Sequence, residues 1–271
     1  MINYIIWAMI VILYTPLFFN LYRSEWKAFD YTHAYFILPV FFWLIWRKRT
    51  TLKEAIQKSR LDHNLMGFFG FLVGILLFIF GWRQQYSFIT TLSLLPVLLG
   101  LTTYLYGFQA TRIVLFPLLY LLLLVPIPIG IVDDLTLPMR YGLSVMTEII
   151  LGFFHFPISR EGLLLTIGES ELFMGQPCSG FRSIITMFSL SLVYVYLSRS
   201  SLFRKTILVS SIVPFAVLGN LIRIIALCLI TYYFGEETGQ GFFHSFSGIV
   251  IFVFIVSGLI GLEFMLERCA R

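Results

Sequence analysis

The chain has 271 residues, 59% of them hydrophobic and only 12% charged, with a mean hydropathy of +0.90 and a formal net charge of +5. A soluble domain runs at roughly 45–50% apolar and about 25% charged, so a soluble fold is excluded and an integral membrane protein is indicated. In such a chain the placement of the positive charges says more than their sum, so the basic balance is no argument for nucleic acid.

The first segment, MINYIIWAMIVILYTPLFFNLY, has no basic residue ahead of its apolar core and no small-x-small site behind it, so it reads as a retained anchor. Further apolar runs place spans near 2–19, 34–46, 65–82, 87–107, 113–131, 182–198, 207–233 and 249–266. Runs such as LYLLLLVPIPIG do not alternate as barrel strands would, so the expected fold is all-α and polytopic with about eight transmembrane helices. Six of the 19 Lys and Arg residues fall in the linker 47–64, and Arg112, Arg199, Arg204, Lys205, Arg268 and Arg271 share its side if the spans alternate. That side is cytoplasmic by the positive-inside rule, which places both termini inside.

By the same parity the interval 132–180 is extracytoplasmic. Its first part has helical spacing but carries Asp133, Asp134, Arg140 and Glu148, which fits an interfacial or partly re-entrant helix. Next come two short apolar runs, GLLLTI and LFMG, separated by GESE, which predict a small hairpin against the outer face. The whole is expected to be a single integral membrane domain over 1–271, with the chemistry on the spans 178–266.

No CxxC pair, Cys/His ligand spacing, P-loop, GxGxxG, GxSxG or HExxH occurs, so neither metal nor cofactor is expected. The informative stretch is GQPCSGFRS. Cys178 lies at the outer entry of the sixth span, where Pro177 pre-sets a turn, Ser179 can cap and Gly180 allows close backbone approach. The positive helix end and Arg182, four residues on, both favour thiolate over thiol. Cys228 and Cys269 lack such surroundings and read as small hydrophobes.

In the seventh span Asn220 and Arg223 are three residues apart on one helix face. An intramembrane arginine costs several kcal/mol by insertion scales and is a functional candidate by default, with interhelical locking as the bland alternative. His244, in GFFHSFSG, opens the eighth span on the outer side. Thiolate, imidazole and guanidinium are together the parts needed for acyl transfer. His33, in DYTHAYFILP at the outer mouth of the second span, either lines the same cleft or is a plain interfacial residue; His155 among phenylalanines and His63 on the linker read as bland.

PCSGFRS, NLIR and HSFSG, in that order on three consecutive spans, resemble the signature of the exosortase/archaeosortase family, in which Cys-Ser-Gly, Asn-x-x-Arg and His-x-x-x-Gly patterns carry the proposed active site. DYTHAYFILPVFFWLIWRKR and FPLLYLLLLVPIP are similar to further stretches of the family, except that Ala34 replaces a Gly after His33 and Gln176-Pro177 stand where an acidic residue and Ala are frequent. The resemblance implies a prokaryotic inner-membrane cysteine transpeptidase. It would cleave C-terminal tripartite sorting tails of secreted proteins, of the PEP-CTERM type, and pass them to a lipid or glycan-linked acceptor. Cys178 is then the nucleophile, Arg223 the transition-state partner and His244 the proton-transfer group, with Asn220 and Arg182 in support. Two other functions use the same chain: a non-enzymatic transporter or scaffold subunit for surface-polysaccharide assembly, in which Cys178 is dispensable, and membrane proteolysis without transfer.

Overall fold

The structure is a computed structural model that describes residues 2–24, 26, 33–58, 64–175, 181–198, 201–235 and 242–269. The chain divides into two compact units at Pro128.

The first unit holds α1 (Ile2–Arg23), α2 (Ala34–Arg47), α3 (Arg49–Lys58), α4 (Leu65–Arg83), α5 (Ser87–Leu92) and α6 (Leu94–Tyr120), followed by a 3-10 turn, Leu121–Leu124. Asn64 starts α4 by accepting the Met66 amide through its side chain at 3.0 Å, which satisfies one of the donors a helix start leaves open. Glycine then sets how closely α4 can approach its neighbours. A Cβ on Gly74 would lie 2.6 Å from the Val97 amide nitrogen, and one on Gly67 2.5 Å from that of Tyr104. Gly81 makes the same approach to α5, where a Cβ would meet the Thr90 amide at 2.7 Å. These three glycines recur every seventh residue along one face, so α4 meets its partners backbone to backbone, as small-residue stripes permit in apolar surroundings.

The helix α6 is interrupted at Gly107, whose φ of 79° and ψ of 170° belong to a region open essentially to glycine alone. The Thr103 and Thr111 hydroxyls are 2.9 Å apart. Eight residues of straight helix would separate them by about 12 Å, so the chain folds back on itself at Gly107. This is where the sequence ends its fourth span. The fourth span differs at its start, where the chain is divided at Ser93 into α5 and α6. The Ser93 hydroxyl is shared with the Tyr14 hydroxyl at 2.8 Å, a buried bond that ties α1 to this break.

The second unit holds α7 (Ile129–Phe153), three strands β1 (Ile158–Glu161), β2 (Leu164–Ile167) and β3 (Ser170–Phe173), then α8 (Phe181–Leu197), α9 (Leu202–Ser210), α10 (Ile212–Phe234) and α11 (Phe242–Cys269). The expected hairpin is present as β2–β3, and β1 joins it to make an antiparallel sheet in the order β1-β2-β3. Both connections are two residues long, with Gly162 and Gly168 at φ of 62° and 61°, as tight hairpin turns require. The expected helix starts four residues before Asp133, running from Ile129 through Pro138 to Phe153. Residues 129–131, assigned from sequence to the fifth span, therefore belong to it.

Four helical stretches among the described residues are long and apolar enough to cross a bilayer: Asn3–Arg23, Leu65–Arg83, Ser87–Leu124 and Leu202–Phe234. Ser87–Leu124 contains the reversal at Gly107, and Ala34–Arg47 and Ile184–Leu197 are shorter apolar helices. The chain is thus an all-α membrane protein with one small sheet.

Candidate active site

The helix α10 is the central element of the second unit. On one side, Leu221, Ile224, Leu227 and Cys228 join Leu143 and Leu151 of α7 and Leu165, Ile167 and Leu172 of the sheet in one buried cluster. A second cluster joins Ile212 and Ala216 of α10 to Met187 of α8 and Ile255 of α11. The packing against α11 is close, since a Cβ on Gly258 would lie 2.7 Å from the Phe215 ring. The three helices that carry the sequence motifs therefore pack on one another. Cys228 sits in the first cluster as a small apolar side chain, fully buried.

Asn220 and Arg223 lie on α10 where Leu and Ile otherwise dominate, with exposures of 1% and 7%. Neither side chain is without a partner. Burial in protein, not contact with lipid, is the arrangement that lets a guanidinium persist at this depth, because bonds from neighbouring groups replace those of water.

The other candidate residues are distributed as follows. Cys178 and Ser179 lie outside the described residues, in the connection between Gly175 and Phe181. The chain enters that connection from Met174, which is completely buried in the cluster that includes Leu221 and Ile224 and whose amide donates to Leu163 O at 2.8 Å. It leaves into α8 at Phe181, so Arg182 falls in the first helical turn, though its side chain is outside the described set. His244 falls in the first turn of α11 with its side chain likewise undescribed. His33 belongs to the first unit. It is buried at the start of α2, with Nε2 3.3 Å from Leu123 O, which ties α2 to the 3-10 turn. His155 is exposed at φ 63° where α7 ends, a left-handed position seldom taken by residues other than Gly and Asn. His63 lies outside the described residues.

One feature of the second unit was not read from sequence. The buried face of α7 carries Thr136, Arg140, Ser144 and Thr147, and Arg140 donates to Asp133 Oδ1 at 3.0 Å. The seven-residue separation makes two helical turns and puts the pair on one face, a signal available in the sequence once the helix is known to start at Ile129. Arg160 of β1 pins the sheet to α7 through Glu148 at 2.9 Å, and this bond raises the guanidinium pKa above its ordinary value. Among the described residues no group of His, Cys, Asp and Glu side chains converges closely enough to hold a metal ion.

These features define a helical membrane protein with a buried arginine and an aligned asparagine on a central helix, flanked by the two helices that carry the cysteine and histidine motifs. Residues 26–261 match the family described as transmembrane exosortase (Exosortase_EpsH). That range covers most of the chain and contains all three motifs, and the chain belongs to this family. No curated protein and no solved structure matches it.

Proposed function

We propose that this exosortase is a membrane-embedded cysteine transpeptidase that cleaves C-terminal sorting tails of secreted proteins and transfers the new C-terminus to a lipid or glycan-linked acceptor. The proposed architecture is one membrane domain of eight spans in the prokaryotic cytoplasmic membrane, with both termini inside and the reaction at the outer face. The observation that carries the reading is the buried Arg223, aligned with Asn220 on α10, in a chain whose family match spans all three motifs. The burial of Met174, which fixes the chain just ahead of the cysteine against the same helix, supports it further.

The chemistry runs in two halves. The Cys178 thiolate attacks the scissile carbonyl carbon, and Arg223 stabilises the negative charge that gathers on the carbonyl oxygen. Collapse of the tetrahedral adduct breaks the C–N bond, the His244 imidazolium gives its proton to the departing amine, and a thioester to Cys178 remains. The acceptor nucleophile then attacks the thioester while neutral His244 takes its proton, and the sulfur leaves as thiolate. Asn220 and Arg182 hold the arginine and the thiolate in position. The sheet and α7 form a cover that keeps water from the thioester, so that transfer outpaces hydrolysis. In cells, Cys178→Ala is expected to leave a tail-bearing client uncleaved in the membrane while the variant accumulates normally. Normal client maturation by the variant would refute the proposal.

A further inference from the structure

The second half of α7 lies along the second half of α10. The Phe156 amide donates to Leu151 O at 3.1 Å where α7 ends, and the Phe156 ring packs at 5.7 Å on Tyr232, near the end of α10. Ahead of these ends, Leu143 and Leu151 share one buried cluster with Leu221, Ile224 and Leu227. Counting back at about 1.5 Å per residue puts Arg140 about 20 Å from the end of its helix, and Arg223 and Asn220 about 17 and about 21 Å from the end of theirs. A second buried guanidinium therefore stands at the level of the candidate site, one helix away.

Arg140 differs from the polar groups that share its face. The Ser144 and Thr147 hydroxyls donate to Tyr141 O and Leu143 O, each at 2.8 Å, so their protons are used within α7. Arg140 is 7% exposed, and its Nη2 donates to Asp133 Oδ1 at 3.0 Å. The side chain of Asp133 is 45% exposed, so water screens the negative partner while the positive one is enclosed. Arg140 Nε is buried too, and among the described residues it meets no acceptor. A charged donor left unsatisfied is costly, and a guanidinium presents its donors in a planar fork that matches the oxygens of a phosphate.

We infer that Arg140 forms a subsite for a phosphate group between α7 and α10, and that the lipid or glycan carrier which accepts the client binds there through its phosphate. The inference rests on the transpeptidase reading proposed above and says how the second substrate of that reaction is held. Adjacent helices pack about 8–10 Å apart, so a phosphate on Arg140 leaves a nucleophile a few bonds away within reach of a thioester at the level of Arg223. Arg140 makes and breaks no bond. It is a binding residue that decides which acceptors enter.

The test uses the full-length protein in a neutral detergent and isothermal titration calorimetry with three probes: dioctyl phosphate, an apolar phosphodiester; decanoate, an apolar carboxylate; and inorganic phosphate. One detergent concentration throughout makes partition into micelles common to every variant. Dioctyl phosphate is expected to bind Arg140→Met at least about tenfold more weakly than the unaltered chain, as the loss of a charged hydrogen bond gives, with Arg140→Lys between them. Asp133→Asn, which strips the guanidinium of its counter-charge, should tighten binding although it weakens the fold, an opposition that a purely structural ion pair does not produce. In cells, the acceptor-linked share of cleaved client, against client released with a free carboxyl, should fall in step with the affinity. Equal affinity of the unaltered and Arg140→Met chains for dioctyl phosphate, or decanoate bound as tightly as dioctyl phosphate, would overturn the subsite. A preference for inorganic phosphate over dioctyl phosphate, or an unchanged acceptor-linked share in Arg140→Met, would overturn its role toward the acceptor. Probe binding does not require Cys178, which keeps the two proposals separable. Arg140-independent binding alongside Cys178-dependent client maturation rejects the subsite alone, whereas Arg140-dependent binding alongside Cys178-independent maturation rejects the transpeptidase while the phosphate subsite stands.

Discussion

Met174 and Ile224 share one fully buried cluster, although fifty residues of sequence separate them. Met174 is the last buried side chain before the connection that carries Cys178, and Ile224 directly follows Arg223. The sheet thus ends by fixing the entrance of the cysteine segment to the helix that carries the arginine. Met174→Ala should leave a cavity and cost about 2–4 kcal/mol, while Met174→Leu, close in volume, should cost under about 1.5 kcal/mol. Client maturation should fall sharply in the first variant and hold in the second, as measured by the ratio of mature to precursor client in cells with matched enzyme levels.

Glycines on α4 differ in what they touch, and this sets up an internal comparison. At Gly74 a new Cβ would lie 2.6 Å from the Val97 backbone, while at Gly70 it would meet the Gly100 Cα at 3.5 Å, an ordinary contact. Gly74→Val must push α4 away from α6 and is expected to lower the melting temperature by several degrees, since overpacking costs about 1–3 kcal/mol. Gly70→Ala should be within about 0.5 kcal/mol of the unaltered chain. Equal effects at the two positions would show that the helices are not in backbone contact.

The Arg140–Asp133 pair is lopsided, with side-chain exposures of 8% and 45%. Asp133→Asn removes the charge from the exposed partner and leaves a buried guanidinium poorly compensated, whereas Arg140→Met removes the buried charge itself. The first change should be the more damaging, by about 1–3 kcal/mol, and the second close to neutral. Thermal unfolding in detergent or nanodiscs ranks the two.

What the sequence disclosed follows the strength of its signals. Spans such as Leu65–Arg83 are uniformly apolar and flanked by charge or Asn, so their limits were plain within a residue or two. The turn at Gly107 was legible because a glycine precedes polar Gln109 and Arg112. The β1 strand was not, because ISRE is too short and too polar to show a period of two; its place depends on Arg160 reaching Glu148 from a different element. The buried polar face of α7 was also missed. Its charges resembled those of a solvated interfacial helix, and only tertiary contact shows that Arg140 turns inward with a partner. The division at Ser93 has a local breaker in Pro96, which cannot bond to Leu92 four residues back, and the break is held to α1 by the Tyr14 hydroxyl.

At the site, the unequal legibility has a chemical origin. An arginine or asparagine inside an apolar run stands out by its cost in hydrocarbon, so Arg223 and Asn220 were conspicuous, and both are buried on α10. His33, read from sequence either as lining the cleft or as a plain interfacial residue, is buried with its Nε2 3.3 Å from Leu123 O.

The most direct measurement of the central claim is intact-mass and peptide mass spectrometry of the full-length enzyme purified after co-expression with a tail-bearing client, quenched in acid. A covalent adduct of the client's truncated polypeptide on the peptide containing Cys178, released by hydroxylamine and absent from Cys178→Ala, is the predicted result. An unmodified Cys178 in a preparation that is actively converting its client, with maturation undiminished in Cys178→Ala, would contradict the account.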